Sequence, residues 1–247
     1  MIRSWFLVAP EALSHDSVVK ADADQLVIDL AGCDPGSEPV ARQMASNFMA
    51  SASAAIRAKT CVRIHGFATG HAEADAAAVI PHGVRTVVLP QAGNGATVQR
   101  LDVCLSVAEL RCGRTPGETR IVAISGDTPS GLLQAASFAG KSRRLSGLGW
   151  DAAYLAGTIG ARRPLPEAAG WDGAIAMARA TLLLTATDCG VPAVDTVSPS
   201  CPPEVFCKLC LAARADGFVG KMTRDIGQLA TINAVFGSKA ADHGSAL

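Results

Sequence analysis

Eight short apolar, β-branched runs, separated by longer helical stretches, constrain this chain more than any other feature. The runs are Ser4 to Ala9, Leu26 to Leu30, Cys61 to Ile64, Thr86 to Leu89, Arg120 to Ile124, Arg144 to Leu148, Ala193 to Val197 and Gly217 to Met222. Helical periodicity spans Glu11 to Lys20, Glu38 to Ala58, Ala72 to Val79, Gly95 to Ala108, Gly131 to Gly140, Ala152 to Gly160, Gly173 to Cys189, Glu204 to Ala215 and Asp225 to Phe236. Strands that are apolar on both faces and joined through helices must pair in parallel and be covered on both sides. Eight such units close into a (β/α)8 TIM barrel, which typically takes about 250 residues, and this chain has 247. An open doubly wound sheet is the alternative, but no glycine-rich dinucleotide fingerprint follows any strand. Residues 1–237 therefore read as one barrel domain. Arg162 to Gly170, with its two prolines, reads as a loop, and the small, polar residues 238–247 read as a frayed tail.

In a barrel, the residues just past each strand gather at one mouth, where ligands bind. Thr60-Cys61-Val62-Arg63-Ile64-His65-Gly66-Phe67 is the most informative such segment, a β-branched strand delivering Arg63 and then His65 to its carboxyl edge. The other strand ends bring Ala9-Pro10, Asp29 with Asp34 shortly after, Pro90-Gln91, Ser125-Gly126-Asp127-Thr128, Trp150-Asp151, Asp195-Thr196 and Lys221. Arg63, Asp127, Asp195 and Lys221 are expected to open on the same mouth. Asp127, just before Thr128-Pro129-Ser130, also reads as a possible helix cap.

The 22 basic and 22 acidic residues balance. That balance gives no electrostatic case for nucleic acid or an anionic membrane as partner. No apolar run approaches the ~20 residues of a membrane span, and the Met1 to Pro10 segment reads as a strand rather than a signal peptide. The eight cysteines lie mostly in apolar segments, so reduced thiols in a cytoplasmic protein are expected. Cys207 and Cys210 share a helix whose other inward positions are apolar, and they read as core packing without zinc.

The order of these pieces resembles the citrate lyase beta-subunit family within the HpcH/HpaI aldolase superfamily. RSWFLVAP, VIDL, CVRIHGF, VVLPQAG, GDTPSGLL, GLGWDAAYLAGTIGA, GVPAVDTVSP and DGFVGK carry it, in register along nearly the whole chain. The resemblance implies a TIM barrel that binds magnesium and a carboxylate or thioester, with carbon–carbon cleavage through a stabilised enolate. It matches Arg63 to the family's arginine and Asp127 to its metal-binding glutamate. It also retains Asp29 and Lys221. His65 replaces an asparagine, Gln91 a lysine, and Ala31-Gly32 two acids, while Tyr154 falls where an aspartate should bind the metal. Asp151 and Asp34 are the available stand-ins. Past the eighth strand, Met222-Thr223-Arg224-Asp225 replaces Ile-His-Pro, and the C-terminal extension that serves many relatives as a lid is expected to be short or absent.

The resemblance thus implies Arg63, Asp29, Asp195 and Lys221 as catalytic residues. It implies Arg63, His65, Gln91 and Thr128 as substrate contacts, and Asp127 and Asp151 as metal ligands. The implied partners are a small carboxylate or acyl thioester and further copies of the chain, a homo-oligomer. Two readings stand: a lyase with several catalytic positions substituted, and a non-catalytic barrel that keeps a carboxylate- or thioester-binding cleft or serves in assembly. A metal site built on His65 or His71 is a third. With Tyr154 in the aspartate position, magnesium binding is expected to be weak or lost.

Overall fold

The structure is a computed structural model that describes residues 2–13, 16, 21–161, 171, 173–198 and 200–237. Its strands are β1 (Ser4–Val8), β2 (Gln25–Asp29), β3 (Thr60–Arg63), β4 (Thr86–Leu89), β5 (Arg120–Ile124), β6 (Leu145–Gly149), β7 (Ala193–Asp195) and β8 (Gly220–Thr223). All pair in parallel in sequence order, and β8 closes on β1. The expected (β/α)8 barrel is therefore what forms. The helices, in chain order, are α1 (Glu38–Ser51), α2 (Ala54–Ala58), α3 (Ala72–Val79), α4 (Gly95–Arg111), α5 (Pro129–Leu133), α6 (Ala152–Thr158), α7 (Gly173–Asp188), α8 (Pro203–Ala215) and α9 (Leu229–Gly237).

Three helical expectations need correction. The stretch from Glu38 to Ala58 is two helices, because the backbone turns extended at Ala52 and Ser53 and the Ser53 hydroxyl caps α2 by accepting from the Ile56 amide at 3.3 Å. Gly131 to Gly140 divides into α5 and a 3-10 turn at Ala135–Ser137, and the last helix is preceded by a 3-10 turn at Ile226–Gln228. Most of Glu11 to Lys20, the loop at 162–170 and the tail at 238–247 lie outside the described residues. Among the described residues no helix is long and apolar enough to cross a membrane.

Strand alternation sorts the core into two layers. Trp5, Leu7, Val27, Cys61, Val88, Val122, Ile124, Val194 and Met222 fill the barrel interior. Their neighbours Val8, Leu26, Ile28, Val62, Ile64, Val87, Leu89, Ile121, Ala123 and Ala193 face outward and pack with the apolar faces of the helices. Each fully buried aliphatic side chain of this kind contributes about 1.5–3 kcal/mol. The closed wall thus holds the strand ends in fixed relative positions.

At the opposite, amino-terminal end a buried ion network ties α4 to the starts of β5 and β6. Arg144 donates to both carboxylate oxygens of Glu109 at 3.0 and 2.8 Å and to Asp102 at 2.5 Å, and the Gly117 and Thr119 amides also donate to Glu109. Burial pushes the Glu109 carboxyl up, but Arg144 and these donors overcome it and hold it at about 2. That end of a barrel serves stability rather than chemistry.

Candidate active site

A cavity of about 210 Å3 opens at the carboxyl ends of the strands. Its floor is apolar, from Leu7, Ile124 and Met222, and its rim carries Arg63, Asp151, Thr196, Ser198 and Arg224. Arg63 is the last residue of β3 and Asp29 the last of β2, and they are register partners. Because Ile28 and Val62 point outward, both of these charged side chains turn to the inside. Arg63 donates to the two oxygens of Asp29 at 3.0 and 3.2 Å, and Arg224, just past β8, reaches Asp29 at 2.5 Å. One buried carboxylate thus orients two guanidinium groups and leaves the cluster with a net positive charge. The Gly32 amide also donates to Asp29, whose oxygens are therefore committed to holding the loop and the arginines.

Asp127 lies in the turn between β5 and α5, 1% exposed. Its Oδ2 accepts from the Gln91 amide at 2.7 Å, and its Oδ1 is buried without a hydrogen-bond partner. Burial pushes this carboxyl up to about 7, the Gln91 amide and the Arg63 charge oppose that rise, and the Asp151 charge adds to it. The turn is tightly built. A Cβ on Gly131 would meet the Ser125 carbonyl oxygen at 2.1 Å, and one on Gly126 would meet the Trp150 Cβ at 2.5 Å. Gln91 itself adopts φ 54°, a left-handed conformation that non-glycine residues rarely take and that persists where surroundings impose it. Here it aims the amide at Asp127 while the side chain donates to the Tyr154 hydroxyl at 2.6 Å.

Asp151 caps α6 through Oδ1, which accepts from the Tyr154 amide at 3.0 Å. The α6 amino terminus is also pinned by Thr196, whose hydroxyl accepts from the Ala152 amide. The cap of α5 is Thr128, accepting from Gly131 at 3.1 Å, so Asp127 is not the cap that its position before Thr128-Pro129 allowed. The Thr128 hydroxyl is engaged at the helix end rather than presented to a ligand.

Arg63 and Asp127 come together at the mouth as expected, but Asp195 and Lys221 do not. Val194 and Met222 take the inward positions of β7 and β8, so the adjacent Asp195 and Lys221 point outward, between the barrel wall and the helices. There the Lys221 ammonium donates to Asp195 at 2.6 Å, the Trp150 indole donates to the same carboxylate at 2.8 Å, and both charged residues are almost wholly buried. His65 also turns from the mouth, with Nδ1 2.7 Å from Asp75 Oδ2. Arg224 and Thr196 also line the site, although the strand-end reading, which named Thr196 at the seventh end, gave neither a role. The signal for Arg224 was a lone cation directly after β8.

Among the described residues, no group of three or more His, Cys, Asp and Glu side chains converges as a metal site. Apart from Asp29, which is committed to Arg63, Arg224 and the Gly32 amide, the mouth offers two carboxylates among the described residues, Asp127 with its unpartnered buried oxygen and Asp151 close enough to raise its pKa. A small hard divalent cation such as magnesium takes one or two carboxylates and completes its shell with water and ligand oxygens. This donor set fits that minimum and nothing more.

The sequence pattern of the HpcH/HpaI aldolase/citrate lyase family matches residues 4–225. Citrate lyase subunit beta of Haemophilus influenzae is 28% identical over 185 residues, 74% of this chain and 62% of that protein, so the match spans about three-fifths of the relative's length. Among solved structures, RipC from Yersinia pestis is similar with a TM-score of 0.76 at 27% identity, covering 98% of both chains. The CitE protein of Mycobacterium tuberculosis, in complex with magnesium, acetoacetate and coenzyme A, shares the fold at TM-score 0.76 and 22% identity, over 96% of this chain and 82% of that one.

Proposed function

The chain belongs to the HpcH/HpaI aldolase/citrate lyase family, and on that premise we propose a citrate lyase beta-subunit-like carbon–carbon lyase, acting on a small carboxylate or its acyl thioester through an enolate. Arg63 and Arg224 grip the ligand carboxylate, their planes set by Asp29. The apolar floor lowers the local dielectric and strengthens that grip. Asp127 and Asp151 would hold a divalent cation, the M. tuberculosis neighbour having magnesium in its complex. Such a cation supplies Lewis-acid stabilisation of charge developing on a ligand oxygen. Gln91 is a positioning residue for Asp127, and Asp195 and Lys221 support the wall behind Trp150.

The observation that carries this reading is the buried, unpartnered Oδ1 of Asp127 beside Asp151 and Arg63. An orphaned carboxylate oxygen is costly in a stable fold and is accounted for by a ligand that the site binds. Titration of magnesium by calorimetry tests it. Native protein takes up the ion weakly, Asp127→Asn does not, and equal uptake by both removes the metal reading.

Tyr154 favours a second reading, the non-catalytic barrel that binds the same ligands. Its hydroxyl is tied to Gln91, and a neutral phenol is no substitute for a carboxylate ligand. Self-association belongs to both readings and is supported by Val103, Val107 and Leu110, which stand exposed on α4. All eight cysteines are free, which supports the cytoplasm as the compartment.

A further inference from the structure

Beside the mouth, three side chains form a constellation that the proposed lyase chemistry leaves unused. The Cys33 sulfur lies 3.9 Å from His65 Nε2, and His65 Nδ1 lies 2.7 Å from Asp75 Oδ2. Asp75 is fully buried on α3, accepts the His65 backbone amide at 2.8 Å as well, and is paired with Arg42 at 3.0 Å. A carboxylate facing Nδ1 keeps the ring proton on that nitrogen, which leaves Nε2 as a bare acceptor directed at the thiol. His71, itself 3.5 Å from Glu38, packs edge-on against the His65 ring at 5.3 Å and fixes its plane. Cys33 is partly exposed, four residues past Asp29. This is the nucleophile, base and orienting carboxylate arrangement that defines an activated thiol by geometry rather than by sequence order.

We propose that Cys33 is an acyl acceptor, taking an acyl group from an acyl thioester with His65 as general base and Asp75 orienting it. The Cys33 proton passes to His65 Nε2 as sulfur bonds to the acyl carbon. The donor's carbon–sulfur bond then breaks, and its thiolate leaves with the proton from Nε2. No oxidant or reductant enters. Burial pushes the Cys33 thiol up, the nearby Ser37 hydroxyl opposes that rise, and the carboxylates of Glu38, Asp75 and Glu11 add to it. At neutral pH the group is therefore a thiol, and removing its proton during attack is the task that His65 performs. The choice of an acyl thioester as donor rests on the reading of the mouth given above.

The test is incubation of the full chain with acetyl-CoA at neutral pH, peptide mapping by mass spectrometry, and parallel iodoacetamide alkylation kinetics. One hydroxylamine-labile acetyl group appears on Cys33 and is absent from Cys33→Ser. His65→Asn slows acetylation and alkylation of Cys33 by about 100-fold, the scale of general-base assistance. Acetyl groups on other cysteines instead of Cys33, or rates unchanged in His65→Asn, overturn the inference. So does a Cys33 that alkylates rapidly but is never acylated. Thermal shifts with small dicarboxylates separate the two readings: a shift abolished by Arg63→Ala, with no acylation of Cys33, rejects this inference and leaves the mouth intact, whereas acylation without any such shift rejects the mouth and supports the Cys33 site.

Discussion

Asp29 and Arg63 are register partners on β2 and β3, and their side chains close an ion pair at 3.0 Å on the inside of the barrel. Asp195 and Lys221 are likewise register partners, on β7 and β8, but their 2.6 Å pair faces the helices. Both pairs join register partners on adjacent strands, and the pleat sends one inward and the other outward. One is available to a ligand, and the other is sealed in the wall.

The inner pair makes a stability prediction. Asp29 is the only carboxylate among the described residues shown holding both Arg63 and Arg224, so Asp29→Ala leaves two guanidinium groups facing each other at a partly desolvated rim. Urea denaturation is expected to show a loss on the order of 3 kcal/mol, typical of breaking a buried pair from one side. Arg224→Ala, which truncates a half-exposed partner and leaves Arg63 on Asp29, is expected to cost less than about 1 kcal/mol.

The outer pair makes a different one. Lys221→Met strands a buried Asp195 and is expected to destabilise the protein by about 3–5 kcal/mol, while Lys221→Met combined with Asp195→Leu recovers much of that loss, because apolar replacement removes both charges together. Dicarboxylate thermal shifts persist in the folded double variant. Their disappearance would show that Lys221 touches the ligand after all.

This pair also shows where the sequence stops being legible. In a parallel barrel both faces of every strand are apolar, so Ala193-Val194-Asp195 and Gly220-Lys221-Met222 read equally well in either phase. The phase is set by which bulky residues fit the interior, Val194 and Met222, a packing question beyond periodicity. Arg63 and Asp127 were legible because a single strand end was enough to place them. Arg224 acquires meaning only through Asp29, 195 residues away. The eight strands and their closure were legible for the opposite reason, since each follows from local pattern and chain length. The break at Ser53 was in principle visible as a helix-capping residue inside a helical pattern.

The buried Glu109 gives the protein an acid limit. Held at about 2 in the fold, this carboxyl sits below its value of about 4.3 in an unfolded chain, so the unfolded state takes up the proton first. Its contribution, on the order of 3 kcal/mol, is complete above about pH 5 and is lost as the pH falls toward about 2. Urea midpoints measured from pH 6 to pH 2.5 are expected to fall steeply in the native protein and with a shallower slope in Glu109→Gln, which has already given up the charge. Parallel slopes would assign acid sensitivity to other carboxylates.

Activity turns on how many carboxylates face the ligand. With Asp127 and Asp151 alone, and Asp151 already spending one oxygen on the α6 cap, magnesium competes poorly with its own tightly held waters, so native affinity is expected to be weak. Losing one electrostatic element of this kind typically costs about 100- to 1000-fold in rate, and cleavage of citryl or malyl thioesters is expected to be correspondingly slow. Tyr154→Asp adds a third carboxylate to the exposed start of α6 and frees the Gln91 side chain that now holds the phenol. It is expected to tighten magnesium binding and raise thioester cleavage together, with little change in the dicarboxylate thermal shift, because Arg63 and Arg224 are untouched. Micromolar magnesium affinity with brisk turnover in the native chain would mean that two carboxylates suffice and that Tyr154 is no handicap. Tight magnesium binding in Tyr154→Asp without turnover would place the missing element elsewhere, with Gln91 in the lysine position as the next residue to restore.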